Sequence, residues 1–256
     1  MAMLGGAAKG SFAQLDSDDT IFEAYYGHFY TFIRQYNFDG VDLDIEEPMS
    51  LAGVIRLIDR LKKDFGDAFL VTLAPVAAAL WSGQTIKTYA EFSYEALEVM
   101  RGAKIAWYNT QFYCGWGDMS NNLHYEAIIA RGFPAHKLVV GLITNPSNGT
   151  GHVPLDCVQR LLSGLCSKYP TFGGVMGWEY FNALPGGTQK PWDWINCMGC
   201  VLNRSPPLLP ASAPPIPFAS KPSPRSVDLH PDMVDLSTSE APVPSAFQYI
   251  EHELSQ

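Results

Sequence analysis

Apolar and polar residues alternate in two rhythms along residues 1–202. Short apolar runs, several with a period of two, occupy 38–46, 68–75 (AFLVTLAP), 104–113 (KIAWYNTQFY), 137–144 (KLVVGLIT) and 173–181 (GGVMGWEYF), and predict strands. Apolar positions three and four apart predict helices near 18–36, 51–65, 93–101, 122–131, 154–168 and 191–202. The clearest of these follows Ser50, a good N-cap. Leu51, Val54, Ile55, Ile58, Leu61 and Phe65 form its apolar stripe, and Gly66 stops it. Strands alternating with helices predict βα units on a parallel sheet. Polar residues recur at the C-terminal ends of the strands, and the glycine-rich phosphate fingerprint is absent. Both favour a (β/α)8 TIM-type barrel over an open doubly wound sheet.

Beyond residue 202 the pattern stops. Eleven of the nineteen prolines fall between Pro206 and Pro244. We therefore expect one folded unit over 1–202 and a disordered Pro-rich tail over 203–256. Within the tail, 247–251 (FQYIE) has the composition of a short docking segment, although a plain loose end accounts for it as well.

Hydrophobic residues make up 47% of the chain, enough for a packed core, and the net charge is −9. No basic cluster is present, so nucleic acid is not expected as a partner. No run approaches 18 apolar residues, which predicts no membrane span. Residues 1–6 lack the basic start and long apolar stretch of a signal peptide. As the chain stands, a cytoplasmic location and a monomer are expected. The five cysteines, Cys114, Cys157, Cys166, Cys197 and Cys200, are odd in number and few for 256 residues, which does not suggest a disulfide framework. Cys197 and Cys200 have CxxC spacing without a second pair, which reads as two packed thiols rather than a zinc site. The sequons at Asn148 and Asn203 are short enough to arise by chance. No metal or cofactor is expected.

The chemistry concentrates in Asp39-Gly40-Val41-Asp42-Leu43-Asp44-Ile45-Glu46. Side chains alternate along a strand, so Asp42, Asp44 and Glu46 share one face while Val41, Leu43 and Ile45 share the other. The aliphatic set suits packing under outer helices, and the acidic set then lines a barrel interior. Two such charges about 5 Å apart repel by roughly 3 kcal/mol at an effective dielectric near 20. At least one proton should therefore stay on the row near neutral pH, and Glu46, at its end, is placed to deliver one. Calcium loops draw their acids from Gly-containing turns instead. In WYNTQFY, Trp107, Asn109, Gln111 and Tyr113 also share a face.

The spacing DxxDxDxE, filled by Asp39, Asp42, Asp44 and Glu46, resembles the fourth-strand motif of glycoside hydrolase family 18. The resemblance implies that Glu46 is the general acid, that Asp44 orients the substrate's 2-acetamido group, and that Asp42 shares a proton with Asp44. It also implies substrate-assisted catalysis, in which the acetamido oxygen is the nucleophile. Gln111 and Tyr113 resemble the sixth-strand pair whose tyrosine holds the acetamido carbonyl. Asn109, on the same face, joins them as a substrate-binding candidate. Trp178 resembles the last-strand tryptophan that floors the sugar site. Glu47 and Glu179 have the opposite parity and receive no catalytic role; a place at the rim or a partner on a helix is expected.

Within the family, the chain resembles fungal endo-β-N-acetylglucosaminidases. The stretches that carry this are MLGGAAKGSF, DGVDLDIEEPMS, RLIDRLKKDFG, TLAPVAAAL, WYNTQFY and GGVMGWEYFNALPGG. The implied substrate is the GlcNAc-β-1,4-GlcNAc core of N-glycans. A chitinase is the alternative, and a sugar-binding relative without turnover is another. Met3 stands where chitinases of the family carry Ser in Ser-x-Gly-Gly. If residues 3–6 end strand three, six strands are present, and a barrel lacking its first two βα units is expected. The missing part would be roughly 60 residues or more. Secretion is expected should a leader have been lost with them.

Overall fold

A computed structural model of the chain describes residues 1–82 and 90–202. The predicted tail 203–256, with its segment 247–251 and the sequon at Asn203, lies outside the described residues. Six strands form one parallel sheet: β1 (Ala2–Gly5), β2 (Gly40–Asp44), β3 (Leu70–Leu73), β4 (Tyr108–Gln111), β5 (Leu138–Ile143) and β6 (Gly174–Trp178). Their spatial order is their sequence order, with every pair parallel. A doubly wound sheet reverses its strand order at a switch point; this one does not. Among the described residues β1 has β2 as its one strand neighbour, and β6 has β5.

The predicted helices are present as α2 (Asp19–Tyr36), α3 (Leu51–Phe65), α5 (Tyr94–Arg101), α6 (Leu123–Ala130), α7 (Leu155–Lys168) and α8 (Trp192–Leu202). Two more, α1 (Ser11–Leu15) and α4 (Ala77–Trp81), have five residues each, too few to show a period. The strands are shorter than the apolar runs because a ladder ends where its neighbour ends. β2 stops at Asp44, opposite the last residue of β1, Gly5. Lys104 and Lys137, read as strand starts, belong instead to 3₁₀ turns spanning Gly102–Lys104 and Ala135–Lys137.

The register sorts the two faces. Leu43, Leu73, Tyr108 and Leu138 lie side by side across four strands, as do Val41 and Val71. All six are fully buried with the apolar stripes of α2 and α3, including Ile33, Val54, Leu57, Ile58 and Leu61. The other face carries Asp42 beside Thr72, and Asn109 and Gln111 on β4. A parallel sheet covered by helices on both faces would be apolar on both. One aliphatic face and one polar face are what a barrel wall requires.

Loops beyond the strand ends are tied together. Ser50 accepts a hydrogen bond from the Gly53 N–H (3.0 Å) to cap α3 and donates its own hydroxyl to Asp16 (2.7 Å). The Ser50 N–H donates to the other Asp16 oxygen at 2.8 Å. Ser50→Ala removes the cap and one Asp16 contact. We expect it to cost about 1–2 kcal/mol and to lower the melting temperature by a few degrees in calorimetry; an unchanged melt would contradict this.

Candidate active site

The acidic strand places its carboxyls as its parity requires. Asp44 is buried, and Asp42 and Glu46 are half-buried. Each meets a polar side chain from a neighbouring strand. The Thr72 hydroxyl donates to Asp42 Oδ1, and Asn109 Nδ2 donates to the same oxygen at 3.1 Å. Trp107 Nε1 donates to Asn109 Oδ1 at 3.0 Å and fixes the orientation of that amide. Gln111 Nε2 donates to Asp44 Oδ1 (3.1 Å), to Glu46 Oε1 (3.4 Å) and to the Ala74 carbonyl (2.9 Å). One amide therefore bridges the last two acids of the row. Asp39, the first residue of the motif, is exposed and lies before the ladder begins.

Burial raises the affinity of all three acids for protons. Asp44 is pushed up to about 8, first by burial, then by the charges of Glu46 and Asp42, against which the Gln111 hydrogen bond pulls down. Burial also raises Asp42, opposed by the Thr72 and Asn109 hydrogen bonds, and raises Glu46, opposed by Gln111. The sequence suggested that a proton stays on the row near neutral pH, with Glu46 placed to deliver one; the raised proton affinity of all three acids supports that. Tyr113 is buried beside the row. Burial, followed by the charges of Asp44 and Glu46, holds its hydroxyl protonated well above the ordinary phenol range.

Three groups were missed or left without a part in the sequence reading. Thr72 sits in the apolar run of β3, and a lone polar residue in an otherwise apolar strand was the available signal. Gly5 has a positive φ, and a Cβ there would lie 2.1 Å from the Asp44 carbonyl oxygen. That close approach lets the Gly6 N–H donate to the same oxygen at 2.9 Å. Glu47 turns away from the row and is buried. Its carboxylate accepts from the Gly10 N–H (2.7 Å) and the Phe12 N–H (2.6 Å), satisfying the start of α1, which has no side-chain cap of its own. Trp178 closes β6, with its side chain 41% exposed, and the sheet order puts three strands between it and the acidic strand. Glu179 follows it, and its carbonyl accepts from the Thr144 hydroxyl at 2.6 Å.

Among the described residues no three His, Cys, Asp or Glu side chains converge as metal ligands would. Among the described residues no disulfide joins the cysteines, and both CxxC cysteines lie on α8. Among the described residues no helix is long and apolar enough to cross a membrane.

The sequence model described as glycosyl hydrolases family 18 matches residues 1–156, the span that holds the acidic strand and its amide partners. The chain belongs to glycoside hydrolase family 18. Solved family members share its fold. One is a fungal endo-β-N-acetylglucosaminidase, 47% identical with a TM-score of 0.76, the match covering 80% of this chain and 72% of that one. Another is a chitinase from Aspergillus fumigatus, 52% identical with a TM-score of 0.70, covering 78% of this chain and 71% of that one. Chitinase 2 of Rhizopus oligosporus is 30% identical over 157 residues, and the match spans 58% of this chain but only 26% of the length of that protein. The family 18 barrel is thus the fold of this chain, as its strand order and polar inner face already required.

The raised Asp44 has a consequence for stability. The folded chain binds this proton more tightly than the unfolded chain does, because the group rises from 3.8 to about 8. Its favourable contribution is complete below the ordinary aspartate range and is lost as pH climbs through about 8. We expect the melting temperature to fall between about pH 4 and pH 8 and Asp44→Asn to flatten that slope. Melts in a pH series would read it; an identical slope in the variant would exclude Asp44 as the source.

Proposed function

We propose that this family 18 chain hydrolyses the β-1,4 bond that follows an N-acetylglucosamine, by substrate-assisted catalysis with retention. The observation that carries this is the row Asp42, Asp44, Glu46 on one strand face, its last two members bridged by the Gln111 amide and all three raised in proton affinity by burial. Glu46 gives its proton to the glycosidic oxygen as the C1–O bond breaks. The substrate's acetamido carbonyl oxygen forms the new bond to C1, and an oxazolinium results. The positive charge gathers on the acetamido nitrogen. Asp44 meets it with a carboxylate once its own proton has moved to Asp42, whose raised proton affinity lets it accept that proton. Water then adds to C1, Glu46 takes up its proton, and the ring opens. Two inversions give retention. The Tyr113 hydroxyl donates to the acetamido carbonyl, and Asn109 and Gln111 hold the acids in register beneath the sugar. Trp178 offers a flat apolar face to the ring.

For the substrate we propose the GlcNAc–GlcNAc core of N-glycans, supported by the resemblance to the fungal endo-β-N-acetylglucosaminidase. Chitin oligomers are the second reading, supported by the higher identity to the Aspergillus fumigatus chitinase. The bond and the acids are the same in both. Release of a free high-mannose glycan from a denatured glycoprotein supports the first. Cleavage of chitin oligomers alone supports the second, and binding without cleavage of either would remove the proposed hydrolysis.

Glu46→Gln should lower the rate by on the order of 10²–10⁴ while leaving sugar binding intact, as for loss of a positioned general acid. Wild-type turnover in that variant would take Glu46 out of the mechanism. Asp44→Asn should impair hydrolysis yet leave transglycosylation from a preformed oxazoline. Equal loss of both reactions would rule out an orienting role. The alkaline limb of the rate profile should lie above the ordinary glutamate range, because burial raises Glu46, the acid that must be protonated for cleavage.

A further inference from the structure

We propose that Asn148 and Asn182 form an amide clamp that positions Trp178. This rests on the reading of Trp178 as the sugar platform. Trp178 ends β6, which among the described residues has β5 as its one strand neighbour, and the residue is 41% exposed. Its backbone, in contrast, is tied to the loop after β5. The Trp178 carbonyl accepts from the Thr144 N–H at 2.9 Å and from Asn148 Nδ2 at 3.3 Å. The Thr144 hydroxyl holds the next carbonyl, that of Glu179, at 2.6 Å. Thr144 is itself 2% exposed, so its side of the clamp is rigid.

The two asparagines complete the closure. Asn148 Nδ2 donates to Asn182 Oδ1 at 3.0 Å, and Asn182 Nδ2 donates back to Asn148 Oδ1 at 2.7 Å. Asn148 Nδ2 also reaches Thr144 Oγ1 at 3.3 Å. Asn145 Nδ2 donates to the Asn182 carbonyl at 2.9 Å, and the Leu184 N–H donates to the Thr144 carbonyl at 3.1 Å. The chain leaving Trp178 is thereby held along its length, to Leu184, by residues 144–148. A reciprocal amide pair uses both the donor and the acceptor of each partner, so neither side can be changed without unpairing the other.

Asn148-Gly149-Thr150 is a glycosylation triplet. Attachment of a glycan would replace one hydrogen of the Nδ2 that donates to Asn182, Trp178 and Thr144. In the folded chain that nitrogen is committed to the clamp.

Asn148→Asp keeps the size and removes the donor. We expect KM for the cleaved oligosaccharide to rise about three- to tenfold, the size of one lost hydrogen bond. The kcat–pH profile should not move, because the acidic row is untouched. In a Trp178→Ala background the same change should add nothing; a full additive loss, or unchanged KM in the single variant, would overturn the clamp. Footprinting with N-bromosuccinimide gives a reading that needs no turnover. Oxidation of Trp178 should speed up several-fold in folded Asn148→Asp and in Asn182→Asp, and equal rates would overturn the proposal. Should the wild type cleave neither substrate class, the proposed hydrolysis fails while the footprint still decides the clamp.

Discussion

Three carboxyl groups on one edge of a strand, shut away from water by their neighbours, set the terms for the rest of the inner face. Each prefers to be charged in solvent, and burial penalises every charge. The repulsion between adjacent members adds to that penalty. The sheet answers with neutral amides and a hydroxyl instead of cations. Thr72 and Asn109 serve Asp42, and Gln111 serves both Asp44 and Glu46. An arginine or lysine there would have quenched the row by drawing all three acids into ionised pairs. Neutral donors steady the geometry yet leave the row able to keep a proton that can move between neighbours. The proposed chemistry depends on that half-satisfied state.

The backbone is held more firmly than the side chains. Gly5 lets β1 approach the Asp44 carbonyl, and the Gly6 N–H completes the contact. One residue past Glu46, the Glu47 carboxylate is spent on two N–H groups at the start of α1. Three residues further on, Ser50 is bound twice to Asp16. The segment that carries the acid is therefore fastened to the preceding βα connection on both sides of the strand end. A general acid works only within hydrogen-bond reach of its target, and rigid fastening of its backbone is how a loop position attains that. At the far side of the sheet the same task falls to amide side chains around Trp178.

Much of the candidate site was legible in the sequence because β-strand parity is a local rule. Once 38–46 is read as a strand, Asp42, Asp44 and Glu46 must share a face, and nothing distant can change that. The same rule grouped Asn109 with Gln111. The partners across strands were not legible. Thr72 reaches Asp42 because the register sets them side by side, and register is a property of two strands together. Glu47 was set aside by parity, and its use depends on where the α1 connection passes, thirty-five residues earlier in the chain. The Asn148 triplet read as a chance match until Asn182 was found opposite it.

The sequence by itself determined the alternation of elements, the polarity of the two sheet faces, the acids and the family resemblance. Each follows from periodicity or from a motif within a dozen residues. Only the tertiary structure decided how far each acid is shielded from water, where the strands stop, and which glycines and amides contact the acidic strand. Proton affinity depends on how completely neighbours exclude water, and strand length on where the adjacent ladder ends. Both are fixed by contacts between residues far apart in the chain, which no local pattern records.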